Sequence, residues 1–512
     1  MSKFAPGIAG LIFALLALPA ARAEVRLPSV FSDHAVLQRG QPVHVWGWSA
    51  PEEKVTVHFH DQTRKATADE YGRWQVWLMP EKAGGPYKLT VTGSETKSPI
   101  ERSDILVGDV WVASGQSNME FPLRGFYHAP MKNSAQEIAA ANHPRIRLLH
   151  VAHAQSELPL DDIHGEWTGC TPKTAATLSA VAYFFAREIS AHEKVPIGLI
   201  ESDWGGTPAQ SWVSWDALGR DEYSPAIRDG ADVAMLHAFG REVHANFAAQ
   251  NAVLQSEGNP PLKRPHIPVQ AWIPHFPSVL FNGMIVPLTG YTIKGVIWYQ
   301  GASDSLPQRA KNYSRIFPLL INDWRRHWNE GDFPFLYAQI SSYKGTDQFW
   351  GEVRDAQRQT LSVRNTGMAV TLDVGEADNV HPPDKQTVGA RLAAIALAKV
   401  YGQKGAYASP EFREATVEGN AIRVWFTHAQ GLNARGKPVG GFEVASEDGA
   451  FVPADAKIEK IDGQSTVVVS AGSVPNPHYV RYGWNNMVTH FLYNSAGFPL
   501  GTFTSEQTGL IP

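Results

Sequence analysis

Apolar residues recur at two different periods along this chain, and the change of period divides it. From about Glu24 to Ser103 they alternate with polar ones, in Val43-His44-Val45-Trp46, Val55-Thr56-Val57-His58-Phe59, Trp74-Gln75-Val76-Trp77 and Tyr87-Lys88-Leu89-Thr90-Val91. Gly, Pro and Asp turns such as Glu70-Tyr71-Gly72 separate these stretches. Successive side chains of a strand face opposite ways, so a period of two predicts a small β-sandwich over 24–103. Between about Asp104 and Gly402 continuous apolar runs take over: Ile105–Ala113, Ile197–Ser202, Gly295–Tyr299, Phe335–Ile340 and Met368–Asp373. Helical stretches alternate with them at Ser179–His192, Tyr313–Trp328, Glu352–Val363 and Lys385–Tyr401. Strands apolar on both faces belong in a parallel sheet covered by helices on each side, so an α/β core is predicted over 104–404. The stretch 217–277 breaks this rhythm, is proline-rich from Pro260 to Pro268, and reads as an insertion near the site. After about Gly405 alternation returns, in Ala421-Ile422-Arg423-Val424-Trp425-Phe426 and Thr466-Val467-Val468-Val469. The β segment over 405–512 is either a module of its own or the completion of the first sandwich.

The N-terminus has a different texture. Lys3, the apolar run Ile8–Leu18 and Ala21-Arg22-Ala23 have the layout of a secretory signal peptide cleaved after Ala23. The run is shorter than the roughly 20 residues of a membrane-spanning helix, so the chain is expected to be periplasmic or extracellular rather than anchored. Export favours disulfides, yet Cys170 is the only cysteine, so stability rests on packing and Cys170 reads as a small buried hydrophobe. A net charge of −5 offers nucleic acid or an anionic membrane no attraction, and the expected partner is a small or neutral ligand. No His-Glu-x-x-His, cysteine cluster or calcium loop is present, so neither a metal nor a cofactor is expected.

In a parallel sheet ligands sit beyond the carboxyl ends of the strands, and four segments there carry chemistry. After the first strand comes Ala113-Ser114-Gly115-Gln116-Ser117-Asn118-Met119, where a serine in a tight turn exposes its hydroxyl beside backbone N–H groups able to hold an oxyanion. The lipase-type Gly-x-Ser-x-Gly is not met, because Met119 stands at the second glycine. After the last strand, Asp378-Asn379-Val380-His381-Pro382 sets a carboxylate and an imidazole on one short loop. There the carboxylate can fix the ring's tautomer while the other nitrogen faces a nucleophile. Asp203-Trp204-Gly205-Gly206-Thr207 and Trp298-Tyr299-Gln300-Gly301-Ala302 add a glycine turn and an amide donor.

Together these segments, with Phe281-Asn282-Gly283-Met284-Ile285 and Val480-Arg481-Tyr482-Gly483-Trp484, resemble the sialate O-acetylesterase-like carbohydrate esterases, a branch of the SGNH hydrolases. The resemblance runs from about Leu27 to the C-terminus. It implies a flavodoxin-like three-layer α/β/α sandwich with accessory β segments at both ends. It also implies Ser117 as nucleophile, His381 as general base, Asp378 as orienter, and an oxyanion hole from Ser117, Gly206 and Gln300. Gln116, Asn118, Trp204, Trp298 and Arg354 are the expected substrate-binding residues. Relatives often carry Glu directly after the Gln-Gly of the third segment, where this chain has Ala302, which favours Asp378 as the acid.

The expected reaction is hydrolysis of O-acetyl esters on sugars through an acetyl-enzyme. Among the 16 tryptophans, Trp204, Trp298 and Trp350 lie beside strand-end loops and favour an extended glycan, plant hemicellulose such as xyloglucan or xylan. The alternative is a sialate 9-O-acetylesterase, with Arg124 or Arg354 pairing with the sugar carboxylate. An alternative of another class is a non-catalytic carbohydrate-binding protein.

Overall fold

The computed structural model describes residues 24–95, 98–220, 253–254, 256, 273–345, 348–405 and 407–506. The expected signal peptide and most of the expected 217–277 insertion therefore lie outside the described residues.

The architecture is mixed α/β. Its centre is a strand, β1 (Ile100–Gly115), whose burial changes character along its length. The first residues alternate between exposed and half-buried, and from Ile105 onward every position is buried. The alternating half pairs antiparallel with Gly84–Gly93, and Val36–Gln38 runs parallel from Leu106 to Gly108. Its continuously apolar half pairs in parallel with β3 (Ile197–Asp203) on one side and β4 (Gly295–Tyr299) on the other. One strand thus belongs to both layers, and the expected boundary at 103/104 falls inside it. The two sheets are continuous and share eleven strands.

With β2 (His143–His150), β5 (Phe335–Ala338) and β6 (Thr366–Ala369), the parallel sheet has the order β6-β5-β4-β1-β3-β2. Setting β2 aside, this is the flavodoxin order 2-1-3-4-5. Sequence periodicity missed β2, because Arg145 and Arg147 interrupt its apolar run; Arg147 is nonetheless buried and donates to Asp104 at 2.8 Å.

Helices cover both faces, as alternation along β4 dictates. Val296 and Trp298 face α3 (Pro307–Trp328) and α4 (Trp350–Gln359), whereas Ile297 and Tyr299 face α2 (Ala180–Glu193) and α5 (Lys385–Lys399). Trp298 is fully buried, packed edge-on against Trp212 and Trp324 and stacked on Phe317. It is a core residue, which corrects its expected role in substrate binding: the penultimate position of an interior strand points into the helix layer, away from the rim.

The C-terminal segment builds two four-stranded sheets around a separate core that includes Val424, Phe442, Val467 and Phe503. It does not complete the first sandwich. Arg354, buried in α4, donates to the carbonyls of Asn485 at 2.5 Å, Asn486 at 3.4 Å and its own helix at Trp350, 3.2 Å. Its guanidinium is committed to holding the C-terminal segment, which corrects its assignment to substrate.

Trp298→Ala should lower unfolding free energy by about 3–5 kcal/mol, the usual cost of emptying a large core site. Urea unfolding would measure it, and a loss below about 1 kcal/mol would contradict the core assignment.

Candidate active site

The turn after β1 is forced by glycine. Gly115 has φ +140°, and a Cβ there would lie 2.3 Å from the Tyr299 carbonyl oxygen, so no other residue lets β1 and β4 close up at this point. Gln116 N–H then donates to that carbonyl at 3.0 Å, and the chain turns into the short helix α1 (Ser117–Glu120; helices α2–α5 are those defined above). Ser117 is its first residue.

His381 arrives from the other end of the sheet. After β6 the chain makes a 3-10 turn at Leu372–Val374, and the Asn379 side chain accepts from His381 N–H at 2.9 Å, curling the loop. Pro382 follows, and Asp384 caps α5 by accepting from Thr387 N–H at 3.0 Å. These turns leave His381 Nε2 2.8 Å from Ser117 Oγ across 264 residues of sequence. A serine hydroxyl within hydrogen-bond reach of an imidazole is the arrangement that activates a nucleophile.

The ring is lodged against Phe126 at 5.3 Å and Phe121 at 6.3 Å between centroids. Burial, followed by the nearby positive charge of Lys385, draws its pKa down to about 4. The imidazole is therefore neutral above about pH 4, with Nε2 placed to accept from the Ser117 hydroxyl. Asp378 lies three residues before His381, with its side chain exposed, and has no hydrogen bond or ion pair among the described residues. In this arrangement the ring is placed by its loop and by aromatic packing rather than by that carboxylate.

Several other expected contacts are corrected by where the amides point. Both N–H groups of Gln300 are taken, by the Thr207 carbonyl at 3.1 Å and by the Asp304 carboxylate, and its oxygen accepts from Tyr313 at 2.9 Å. Fully buried, Gln300 braces the Thr207 turn and is no oxyanion donor. Gln116 accepts from Gly301 N–H and Ser303 N–H, both at 3.1 Å, and donates to the Ser303 hydroxyl at 3.2 Å, tying two loops together instead of meeting sugar. Asn118, also buried, donates to the Val380 carbonyl at 3.0 Å and accepts from Lys385 at 2.5 Å.

The remaining donors are main-chain. A Cβ on Gly205 would lie 3.2 Å from Ser117 Cβ, so the glycine turn rests directly on the serine. The next residue, Gly206, is exposed at φ +76°. Its N–H and that of Ser117 form no hydrogen bond among the described residues, leaving both free for a developing oxyanion. Trp204 stands at the rim, half-buried, with one face stacked on His153 at 4.1 Å and 6°.

His153, Glu120 and Lys385 escaped the sequence reading. Glu120 accepts from Gly205 N–H at 2.6 Å and faces His153 at 3.5 Å, so it fixes both the glycine turn and the rim. Its place three residues after Ser117 was the available signal. His153 follows the unrecognised β2 and had none. Behind them the Asp203 carboxyl is buried with no hydrogen-bond partner among the described residues, and burial, then Glu201 and Glu120, pushes its pKa well above the usual carboxylate range. Among the described residues no group of three or more His, Cys, Asp or Glu is arranged to hold a metal ion.

Residues 107–241 and 270–398 match the family described as "Carbohydrate esterase, sialic acid-specific acetylesterase". The human sialate O-acetylesterase is 31% identical, across 78% of this chain and 76% of its own, and the rat protein of that name is 28% identical across 94% of each. The chain belongs to this carbohydrate esterase family. A crystal structure of a carbohydrate acetylesterase from Xanthomonas citri superposes with a TM-score of 0.78 at 33% identity, covering 94% of this chain and all of that one. The protein is thus a carboxylic ester hydrolase, a carbohydrate acetylesterase of the sialate O-acetylesterase type. The Ser117–His381 contact and the Trp204–Thr207 turn lie inside the matched regions of the esterase.

Three outcomes are expected. Gln300→Ala should destabilise the esterase by about 1–3 kcal/mol, because the buried Thr207 carbonyl loses its donor, as read by thermal unfolding; loss of turnover with unchanged stability would restore it to the oxyanion hole. The acid limb of kcat/KM should fall near pH 4 instead of near 6.5, because His381 must be unprotonated to act. The same depressed pKa gives stability that is present above about pH 6.5 and is lost as pH falls through 4.

Proposed function

We propose that this esterase releases acetate from sugar hydroxyls by serine acyl transfer. The hydrogen bond between Ser117 Oγ and His381 Nε2, 2.8 Å long, carries the proposal. Neutral His381 takes the Ser117 proton as Oγ attacks the acetyl carbonyl, and the oxyanion meets the N–H groups of Ser117 and Gly206. The imidazolium then returns the proton to the departing sugar oxygen, and water repeats the sequence on the acetyl-enzyme. The strand order and this serine–histidine pair at the sheet's carboxyl edge support assignment to the SGNH hydrolases. Asp378, exposed on the same loop, is a partner for the ring only through a swing of that loop, and Ser117 and His381 carry the reaction.

The substrate we favour is acetylated hemicellulose, xyloglucan or xylan. Trp204, backed by His153 and adjoining Ser117, offers one aromatic face to a neutral pyranose at the rim, and Arg354 is committed elsewhere. A second reading, sialate 9-O-acetyl ester, is supported by the names of the relatives. Arg124 supports it too, being exposed on the loop that carries Phe126 beside His381. The leader pattern at Lys3 to Ala23 supports export.

Ser117→Ala and His381→Ala should each lose at least about 10³-fold in acetate release, while Asp378→Ala stays within about tenfold; a loss near 10⁴ would instead make Asp378 a triad acid. Acetate release compared across acetylated xyloglucan oligosaccharides, acetylated xylan and 9-O-acetylated sialic acid decides the substrate. Preference for the last would replace the hemicellulose assignment.

A further inference from the structure

The first turn of α5 holds a lysine where stability alone would not put one. Lys385 is fully buried, and no carboxylate lies within ion-pair distance among the described residues. A cation there also opposes the positive end of the helix dipole. Isolated buried charge is expensive, and a methionine of the same length would fill the space at no such cost. The ammonium's contacts are few and oriented. It donates to Asn118 Oδ1 at 2.5 Å and sits over the faces of Phe121, 4.5 Å away, and Tyr299, 5.9 Å away.

Asn118 is the residue after the nucleophile, and its other amide atom donates to the carbonyl of Val380, the residue before the base. The Lys385 Nζ donor and the Val380 carbonyl acceptor hold opposite ends of the amide, Oδ1 facing the lysine and Nδ2 facing the His381 loop. Without Lys385 the buried Oδ1 loses its donor, and the amide is held by the Val380 carbonyl alone.

We infer that Lys385 is a positioning residue for the Ser117–His381 pair: by dictating the orientation of Asn118 it clamps the base loop onto the nucleophile turn. It does so without touching substrate. The inference rests on the Ser117–His381 reading above. Lys385 also lies on the side from which His381 feels positive charge, and burial draws its own pKa well down. The charged groups that act on this pair are Asp384 and Glu376, whose negative charges favour the ammonium. Lys132 faces Asp384 at 3.6 Å, and Glu376 accepts from Asn379 at 3.0 Å. Tyr299, fully buried, stays un-ionised.

The test compares Lys385→Met and Asn118→Asp with wild type, using p-nitrophenyl acetate, thermal unfolding and the pH dependence of kcat/KM. Lys385→Met should unfold at or above the wild-type temperature, lose at least tenfold in kcat with KM within threefold, and move the acid limb up from near pH 4 towards 6.5. Asn118→Asp keeps an acceptor for Lys385 but deletes the donor to Val380, and should show a comparable loss in kcat. Wild-type kcat together with an unmoved acid limb in Lys385→Met would overturn the inference. If Lys385→Met does not fold, wild-type kcat in a folded Asn118→Asp would overturn it as well. Ser117→Ala and His381→Ala, assayed alongside, separate the two ideas: their full activity would refute the serine–histidine reading, whereas their inactivity with an unimpaired Lys385→Met would refute only the clamp.

Discussion

One side-chain amide joins the two ends of this active site. The hydrogen bond from Asn118 to the Val380 carbonyl spans 262 residues and fixes where the base loop sits on the nucleophile turn. The parallel sheet makes that bond possible, since β1 and β6 both deliver their chains to the same carboxyl edge, although the four strands β2 to β5 lie between them in sequence. The sheet brings the loops to within a few ångströms, and the amide and the adjoining Asn379 turn remove the remaining freedom. Enzymatic acyl transfer is sensitive to misplacement on the order of 1 Å, so this last restriction matters as much as the fold.

The polar side chains near the site are mostly committed to construction. Gln116, Gln300, Asp304 and Arg354 each look available in one dimension, yet each meets backbone groups of loops that would otherwise be buried without partners. A loop at a sheet edge cannot satisfy its own N–H and C=O groups by regular pairing, so side chains must do it. What remains unspent at the sheet edge is sparse: the Ser117 hydroxyl, the His381 imidazole it meets and the main-chain N–H groups of Ser117 and Gly206. Around them lie Trp204, stacked on His153, and the loop bearing Arg124 and Phe126.

Buried acid and base groups both occur in this region. Asp203 lies under the glycine turn, its pKa pushed well up by burial and by neighbouring carboxylates, while Lys385 lies under the base loop. Each is on the protein side of a catalytic loop, facing away from solvent. Replacing either by an apolar residue would relieve a desolvation cost, so their presence at these two places sets electrostatics and orientation above maximal stability.

Much of this was legible in one dimension because it depends on local periodicity. The parallel strands Ile197–Asp203 and Gly295–Tyr299 open on or consist of continuous apolar runs, Ile197–Ile200 and Gly295–Tyr299, as strands buried on both faces do. Ser117 and His381 were legible because a strand-end turn and a proline-stiffened loop are local patterns. Whether a polar residue reaches substrate is not local. Gln300 and Arg354 were misassigned because their partners Thr207 and Asn485 are distant in sequence, and Trp298 because its neighbours come from separate elements. The sequence by itself determined most of the elements, the sheet type and the two strand-end loops that carry Ser117 and His381, since each follows from the order of residues over a short span. The tertiary structure alone decided which amides face the site and which are spent within it, and that the β-sandwich and central sheet share one strand. A hydrogen bond is made by whatever stands within 3 Å, and only the folded chain settles what does.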